Sequence, residues 1–404
     1  MSGPDERMAR LPAGAFVHTF LPGRVVYGPG AVGRVAAEVE LLGVRRTLVI
    51  ATRSARAAAD LIQEQLGERC AARIDGVEQH VPSATANEAR AKAREVGADA
   101  IVAIGGGSAI GLAKAIARTN TPHFTELAEA IGTAGVDAVA GSGGVDCSAV
   151  AGGVGVGGCV GGGEVVIVAV PTTYAGSEMT AVWGETAGGS KTTGTDPRVL
   201  PRVVVYDPVL SQHLPLKVTA ASVANAIAHC VEAVWTPKAD PFTETIAVEG
   251  LRTLSSGLRA VLAAPEDLEA RGRLLYGACL GGSALATGGT GLHHKLCHLL
   301  GGTYNLPHAE THAAVLPQVA RVNAPAVPQA AARLTAALAA EDLAGGLFDL
   351  FQKAGTATSL RELGLTAAQV DEAAATFTAT DNPVPVTEEL VREILTRAWD
   401  GARP

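Results

Sequence analysis

Ala100-Ile101-Val102-Ala103-Ile104-Gly105-Gly106-Gly107-Ser108 decides the fold class of this chain. Five apolar residues in a row, with no polar alternation, read as a strand buried on both faces, the signature of a parallel sheet covered by helices. The glycines that follow end the strand abruptly, and Ala109 to Ala117 continues with a helical pattern. Glycine lets backbone N–H groups approach a ligand closely, and a helix N-terminus adds partial positive charge. A strand–glycine loop–helix unit of this kind suits a diphosphate, although it is not the GxGxxG fingerprint.

The same grammar extends in both directions. Upstream, Val25-Val26-Tyr27 precedes a Gly28–Gly30 turn, Thr47 to Ala51 is a bare apolar strand, and Asn87 to Val96 reads as a helix. Downstream, Val165 to Val170 is another buried strand, followed by Pro171-Thr172-Thr173-Tyr174-Ala175-Gly176-Ser177-Glu178. Ligands in open parallel sheets sit beyond the carboxyl ends of the strands. Gly105, Gly106, Gly107, Ser108, Thr172, Thr173 and Ser177, with Thr52 at the end of the Thr47–Ala51 strand, are therefore the candidate cofactor-binding residues. The strand Val203 to Tyr206 closes this part. Beyond it apolar residues recur at helical spacing, through 220–235, 242–262, 267–286 and 328–338, which predicts a helical second domain. The boundary falls near Asp207-Pro208, giving residues 1–208 as an α/β dinucleotide-binding domain and 209–404 as an all-helical catalytic domain. Residues 131–163 interrupt the first domain. Thirteen glycines lie between Gly132 and Gly163. So little side-chain surface against so much backbone entropy predicts a surface insertion.

The bulk numbers exclude several classes. A formal charge of −8 over 404 residues, without a basic cluster, disfavours nucleic-acid and anionic-membrane partners. The six cysteines have no paired spacing and read as reduced thiols. The charged stretch from Met1 to Ala13 is no secretory signal. A cytoplasmic location is the expectation.

Six of the ten histidines fall between residues 229 and 312. Asn225 and His229 are four apart, as are His294 and His298, so each pair shares a helix face. His308 follows Pro307. Binding alone does not need such a concentration of imidazoles, and it points to proton chemistry near neutral pH.

Gly291-Leu292-His293-His294-Lys295-Leu296-Cys297-His298, leading through Gly301-Gly302 to Leu306-Pro307-His308-Ala309-Glu310, resembles the histidine signature of the iron-containing alcohol dehydrogenase superfamily. The GGGS and PTTYAGSE segments resemble its two nucleotide loops, and the likeness runs from about Phe16 to Pro317. Gly111 in place of the usual Asp, Tyr174 in a shortened threonine loop, and His293-His294-Lys295 resemble one branch, the maleylacetate reductases. That resemblance implies a dehydroquinate synthase-like fold, NADH as cofactor with NADPH also open, and a homodimer. It implies reduction of the enone C=C of maleylacetate to 3-oxoadipate during breakdown of aromatic compounds. The alternative is an alcohol dehydrogenase-like reductase of another carbonyl or enone on the same scaffold.

The superfamily's metal positions map onto Asn225, His229, His294 and His308. Asn is a weak, neutral ligand, and the branch resemblance implies a reaction without metal, so the expectation here is that none is required. Asn225, His229 and His294 are then the donors to the developing enolate, with His298 and His308 as proton sources. Lys295 is the first choice to pair a carboxylate of the dicarboxylate substrate, ahead of Lys191, Arg202 and Lys217.

Overall fold

The computed structural model describes residues 18, 23–77, 82–119, 165–187, 190–378 and 381–404. The glycine-rich insertion at 131–163 lies outside the described residues. The chain forms two compact units, one of residues 23–172 and 181–210, the other of 1–22, 173–180 and 211–404.

The first unit is built on a six-stranded parallel sheet. Its strands are β1 (Arg24–Tyr27), β2 (Thr47–Ala51), β3 (Cys70–Asp75), β4 (Ala100–Gly105), β5 (Val166–Pro171) and β8 (Val203–Tyr206). The order across the sheet is β1-β8-β5-β4-β2-β3. The side chains alternate as a parallel sheet with two covered faces requires. Val49, Ala51, Val102, Ile104, Val168 and Val170 pack with Val35, Val39, Ala59 and Ile62 of α1 (Val35–Leu41) and α2 (Arg56–Leu66). Leu48, Ile50, Ile101, Ala103 and Ile167 pack with Ala86, Ala89, Leu112 and Ile116 of α3 (Ser83–Glu95) and α4 (Gly107–Thr119). Each apolar run is thus split by the pleat between two cores. A short antiparallel hairpin, β6 (Val182–Ala187) with β7 (Ser190–Thr195), stands apart from the sheet. Asp207, fully buried, ends β8 and accepts the backbone N–H groups of Gly30, Val32 and Val209, tying the turn after β1 to the last strand.

The second unit is helical. Its helices are α5 (Leu216–Ala233), α6 (Pro241–Ala263), α7 (Leu268–Gly288), α8 (Leu292–Tyr304), α9 (His308–Asn323), α10 (Pro328–Leu338), α11 (Leu343–Lys353), α12 (Ala367–Thr376) and α13 (Glu388–Asp400). From Thr219 to Ala233 every residue of α5 is buried. Its neighbours meet it through glycines: a Cβ at Gly250 of α6 would stand 2.7 Å from Cys230 Sγ, and one at Gly281 of α7 would stand 2.9 Å from the Ala226 carbonyl oxygen. Helices packed this closely hold the α5 side chains in place. Among the described residues, no helix is long and apolar enough to cross a membrane.

Candidate active site

In the sheet unit β2 and β4 are neighbours, and the chain runs on from β2 to β3 on one side and from β4 to β5 on the other. This switch point opens a crevice at the carboxyl ends of β2 and β4, the usual seat of a dinucleotide. The sequence places Thr52 and the glycine loop there. Thr52 N–H donates to the Ile104 carbonyl at 3.1 Å, and Thr172 N–H donates to the Gly105 carbonyl at 3.0 Å. Gly105 has φ +146°, and a Cβ there would lie 2.5 Å from Thr52 Cγ2. Only glycine brings the loop this close to Thr52. Gly107 opens α4 and has no neighbour within 4 Å of a would-be Cβ, so the helix start is clear for an anion.

Of the cofactor candidates, Thr52, Gly105, Gly106, Gly107, Ser108 and Thr172 share this edge. Thr173 and Ser177 do not belong to the sheet unit; they fold with the helices. The reason is Gly176, whose Cβ would stand 2.7 Å from the Ala278 carbonyl oxygen, so that the loop lies flat on α7. Tyr174 is fully buried in the same unit, where Arg271 donates to its hydroxyl at 3.2 Å.

In the helical unit, α5, α8 and α9 gather the histidines. Asn225 and His229 lie on α5, His294 and His298 on α8, His308 at the start of α9. His229 and His294 stack with ring centroids 5.1 Å apart; His298 and His308 stack at 5.7 Å. The buried atoms Asn225 Oδ1, His229 Nδ1 and His294 Nε2 have no hydrogen-bond partner. Three polar atoms left open inside a protein demand an explanation, because each one costs about 1–3 kcal/mol. Lys295 is exposed on α8, as is Lys217 on α5, and Arg202 is exposed beside β8. The Lys191 side chain lies outside the described residues.

Sequence reasoning missed two residues here. Glu232, fully buried, accepts the backbone N–H of His293 at 2.7 Å and that of His294 at 3.3 Å, and its Oε2 meets His294 Nδ1. It follows His229 by three positions and is the single acid of α5, and that was the available signal. Burial alone would raise its pKa, but the charge and hydrogen bond of His294 outweigh this and hold it down at about 2. The second is His312, fully buried, whose Nδ1 is 2.7 Å from His293 Nε2 and whose Nε2 is 3.2 Å from His308 Nε2. Burial, reinforced by neighbouring imidazoles, pushes His229 and His312 well below the usual histidine range. His293 falls to about 3, chiefly through burial. The interior of the cluster is neutral.

A glycine loop at a sheet switch point and a polar cluster of imidazoles on helices define an oxidoreductase of the sheet-plus-helix class. The family model described as iron-containing alcohol dehydrogenase matches residues 22–208, and that of the Fe-containing alcohol dehydrogenase family, C-terminal, matches 219–399. The chain belongs to the iron-containing alcohol dehydrogenase family. It is 40% identical to the maleylacetate reductase of Sphingobium indicum over 96% of this chain and 99% of that protein. Among solved structures it is similar to maleylacetate reductase from Agrobacterium tumefaciens, at 36% identity and TM-score 0.82 over 96% and 99% of the two chains. It is also similar to an iron-containing alcohol dehydrogenase from Corynebacterium glutamicum, at 37% identity and TM-score 0.81 over 96% and 98%.

These findings correct one expectation. The neutral Asn225 and the branch resemblance together imply that no metal is required, whereas the family whose models match both halves is described as iron-containing. Three of the four mapped positions keep an uncommitted ligand atom for such an ion. Asn225 Oδ1, His229 Nδ1 and His294 Nε2 are open, and all three are buried. Glu232 behind His294 completes a carboxylate–histidine pair of the kind that orients metal ligands. His308 is the fourth position, its Nε2 engaged with His312. The anionic charge that Asn225 lacks is supplied from behind His294 by Glu232.

Proposed function

We propose that this chain is an NAD(P)H-dependent reductase of maleylacetate, adding hydride to the enone C=C to give 3-oxoadipate. Its nearly full-length likeness to maleylacetate reductases supports the reading. The carrying observation within the fold is the trio of open buried polar atoms, Asn225 Oδ1, His229 Nδ1 and His294 Nε2. Hydride from the dihydronicotinamide adds to the alkene carbon β to the ketone, and the electron pair moves to the ketone oxygen as an enolate. A proton then adds at the α carbon. A preorganised polar environment in a water-poor site stabilises such an oxyanion far better than water does. A divalent ion held by Asn225, His229 and His294 supplies Lewis acidity toward a carbonyl oxygen when bound.

Each site residue has a role in this reading. Gly105, Gly106, Gly107, Ser108, Thr52 and Thr172 hold the pyrophosphate end of the cofactor, and Thr173 and Ser177 supply further hydroxyls. Glu232 fixes the His294 ring with Nε2 outward. His298, half-buried, is the proton source, because it sits between the neutral interior and the surface, and His308 takes that role only where it does not hold the ion. Lys295 pairs with a substrate carboxylate. A cytoplasmic homodimer is part of the proposal; the cysteines, without paired spacing, read as reduced thiols and support a reducing compartment.

The test is NADH oxidation with maleylacetate and product analysis. Stoichiometric 3-oxoadipate supports the reading. Turnover of another carbonyl compound with none of maleylacetate favours a different reductase on this scaffold.

A further inference from the structure

Behind the open donors lies a second group of side chains that the reduction does not use. His293 and Cys297 are one turn apart on α8, and His312 reaches them from α9. All three are fully buried. One donor atom from each falls within 4.8 Å of the others. Cys297 Sγ is 3.7 Å from His293 Nε2, which is 2.7 Å from His312 Nδ1.

We propose that His293, Cys297 and His312 form a second metal site, for a zinc ion, that pins α8 to α9. Tetrahedral zinc, with Zn–S about 2.3 Å and Zn–N about 2.0–2.1 Å, sets sulfur and nitrogen ligands about 3.5 Å apart and two nitrogens about 3.3 Å apart. The spacing between Cys297 Sγ and His293 Nε2 is already close to this. The two imidazoles must part by about 0.6 Å, the ion replacing the proton they share. Thiolate and imidazole are soft enough to select zinc over magnesium or calcium. The charge also balances. Zinc binding releases the Cys297 proton, and the thiolate with the Glu232 carboxylate, whose Oε1 holds the His293 N–H, sums with the dication to zero. Burial, aided by Glu232, raises the thiol's pKa, so the cysteine stays protonated and inert until a metal arrives. The fourth position is for water. Such an ion sets the relation between the helices that carry His294, His298 and His308.

Cobalt(II) is the probe, because thiolate ligation gives a sulfur-to-cobalt charge-transfer band. The full chain, stripped and reloaded, is expected to bind two equivalents per chain and to show the band. Cys297→Ala loses the band and one equivalent. His312→Asn, which keeps the thiol, loses both as well. His229→Ala loses one equivalent and keeps the band. Circular dichroism confirms that each variant is folded. Wild type without the band, or a band surviving in Cys297→Ala or in His312→Asn, overturns the site. The measurement uses no substrate, so it stands apart from the reductase reading.

Discussion

Replacing Gly105 by alanine tests whether the sheet edge is the cofactor seat. The added methyl group would sit 2.5 Å from Thr52 Cγ2, 2.8 Å from Thr52 Oγ1 and 3.2 Å from the Ala109 Cβ, on a residue whose φ is +146°. Two costs add. Backbone strain at a conformation that L side chains rarely adopt is about 1–3 kcal/mol. Overpacking against a fixed neighbour is about 1–3 kcal/mol more. The second is separable in stability, since Thr52→Ala removes both offending atoms; within the chain it gives up a 3.3 Å contact with the Ser54 hydroxyl, and toward the cofactor it gives up the Thr52 hydroxyl. The double variant should recover about 1–3 kcal/mol, read as coupling in a double-mutant cycle. NADH affinity, followed by fluorescence, should fall at least about tenfold in Gly105→Ala, the equivalent of about 1.4 kcal/mol. Part of it should return in Thr52→Ala/Gly105→Ala. Unchanged NADH binding in Gly105→Ala, or strictly additive effects of the two substitutions on melting, would refute the argument.

Other consequences can be checked directly. Asn225→Asp adds a carboxylate beside His229 and His294 and should tighten divalent-ion binding by equilibrium dialysis. Glu232→Gln removes the anchor of His294 and should weaken it about 10–100-fold; equal affinities in wild type and this variant would count against the carboxylate–histidine pair. Lys295→Met should raise the KM for maleylacetate with a smaller effect on kcat, whereas an unchanged KM removes Lys295 from the substrate site. Glu185 is gripped by both nitrogens of Arg90 at 2.7 and 3.0 Å and by Arg118 at 3.2 Å. The Arg90 hydrogen bonds are the main reason its pKa lies below 4.5. A lowered folded pKa means stability that is present above the unfolded pKa of 4.5 and lost as pH falls toward the folded one. Glu185→Gln should therefore destabilise the chain at neutral pH and flatten the acid limb of its stability curve, and parallel curves would contradict this.

What the sequence by itself determined was whatever depends on near neighbours. Runs such as Thr47–Ala51, Ala100–Ile104 and Val203–Tyr206 admit only a strand buried on both sides, and the glycines after Ile104 can only turn. The four-residue spacing of Asn225 with His229, and of His294 with His298, placed each pair on one helical face. Cys70–Asp75 was missed as a strand because it lies at the sheet edge, half-buried and partly charged, so no apolar run marks it. The hairpin of β6 and β7 carries no core and left no pattern either. Tertiary structure alone decided which elements meet. Glu232 and His294 are 62 positions apart, and His293 and His312 are 19 apart. No local periodicity encodes such pairs, because they follow from how α5, α8 and α9 pack. Likewise, Thr172 and Thr173 are adjacent in the chain yet fold with different units, since Gly176 is drawn onto α7 by a contact that only the packed helices create.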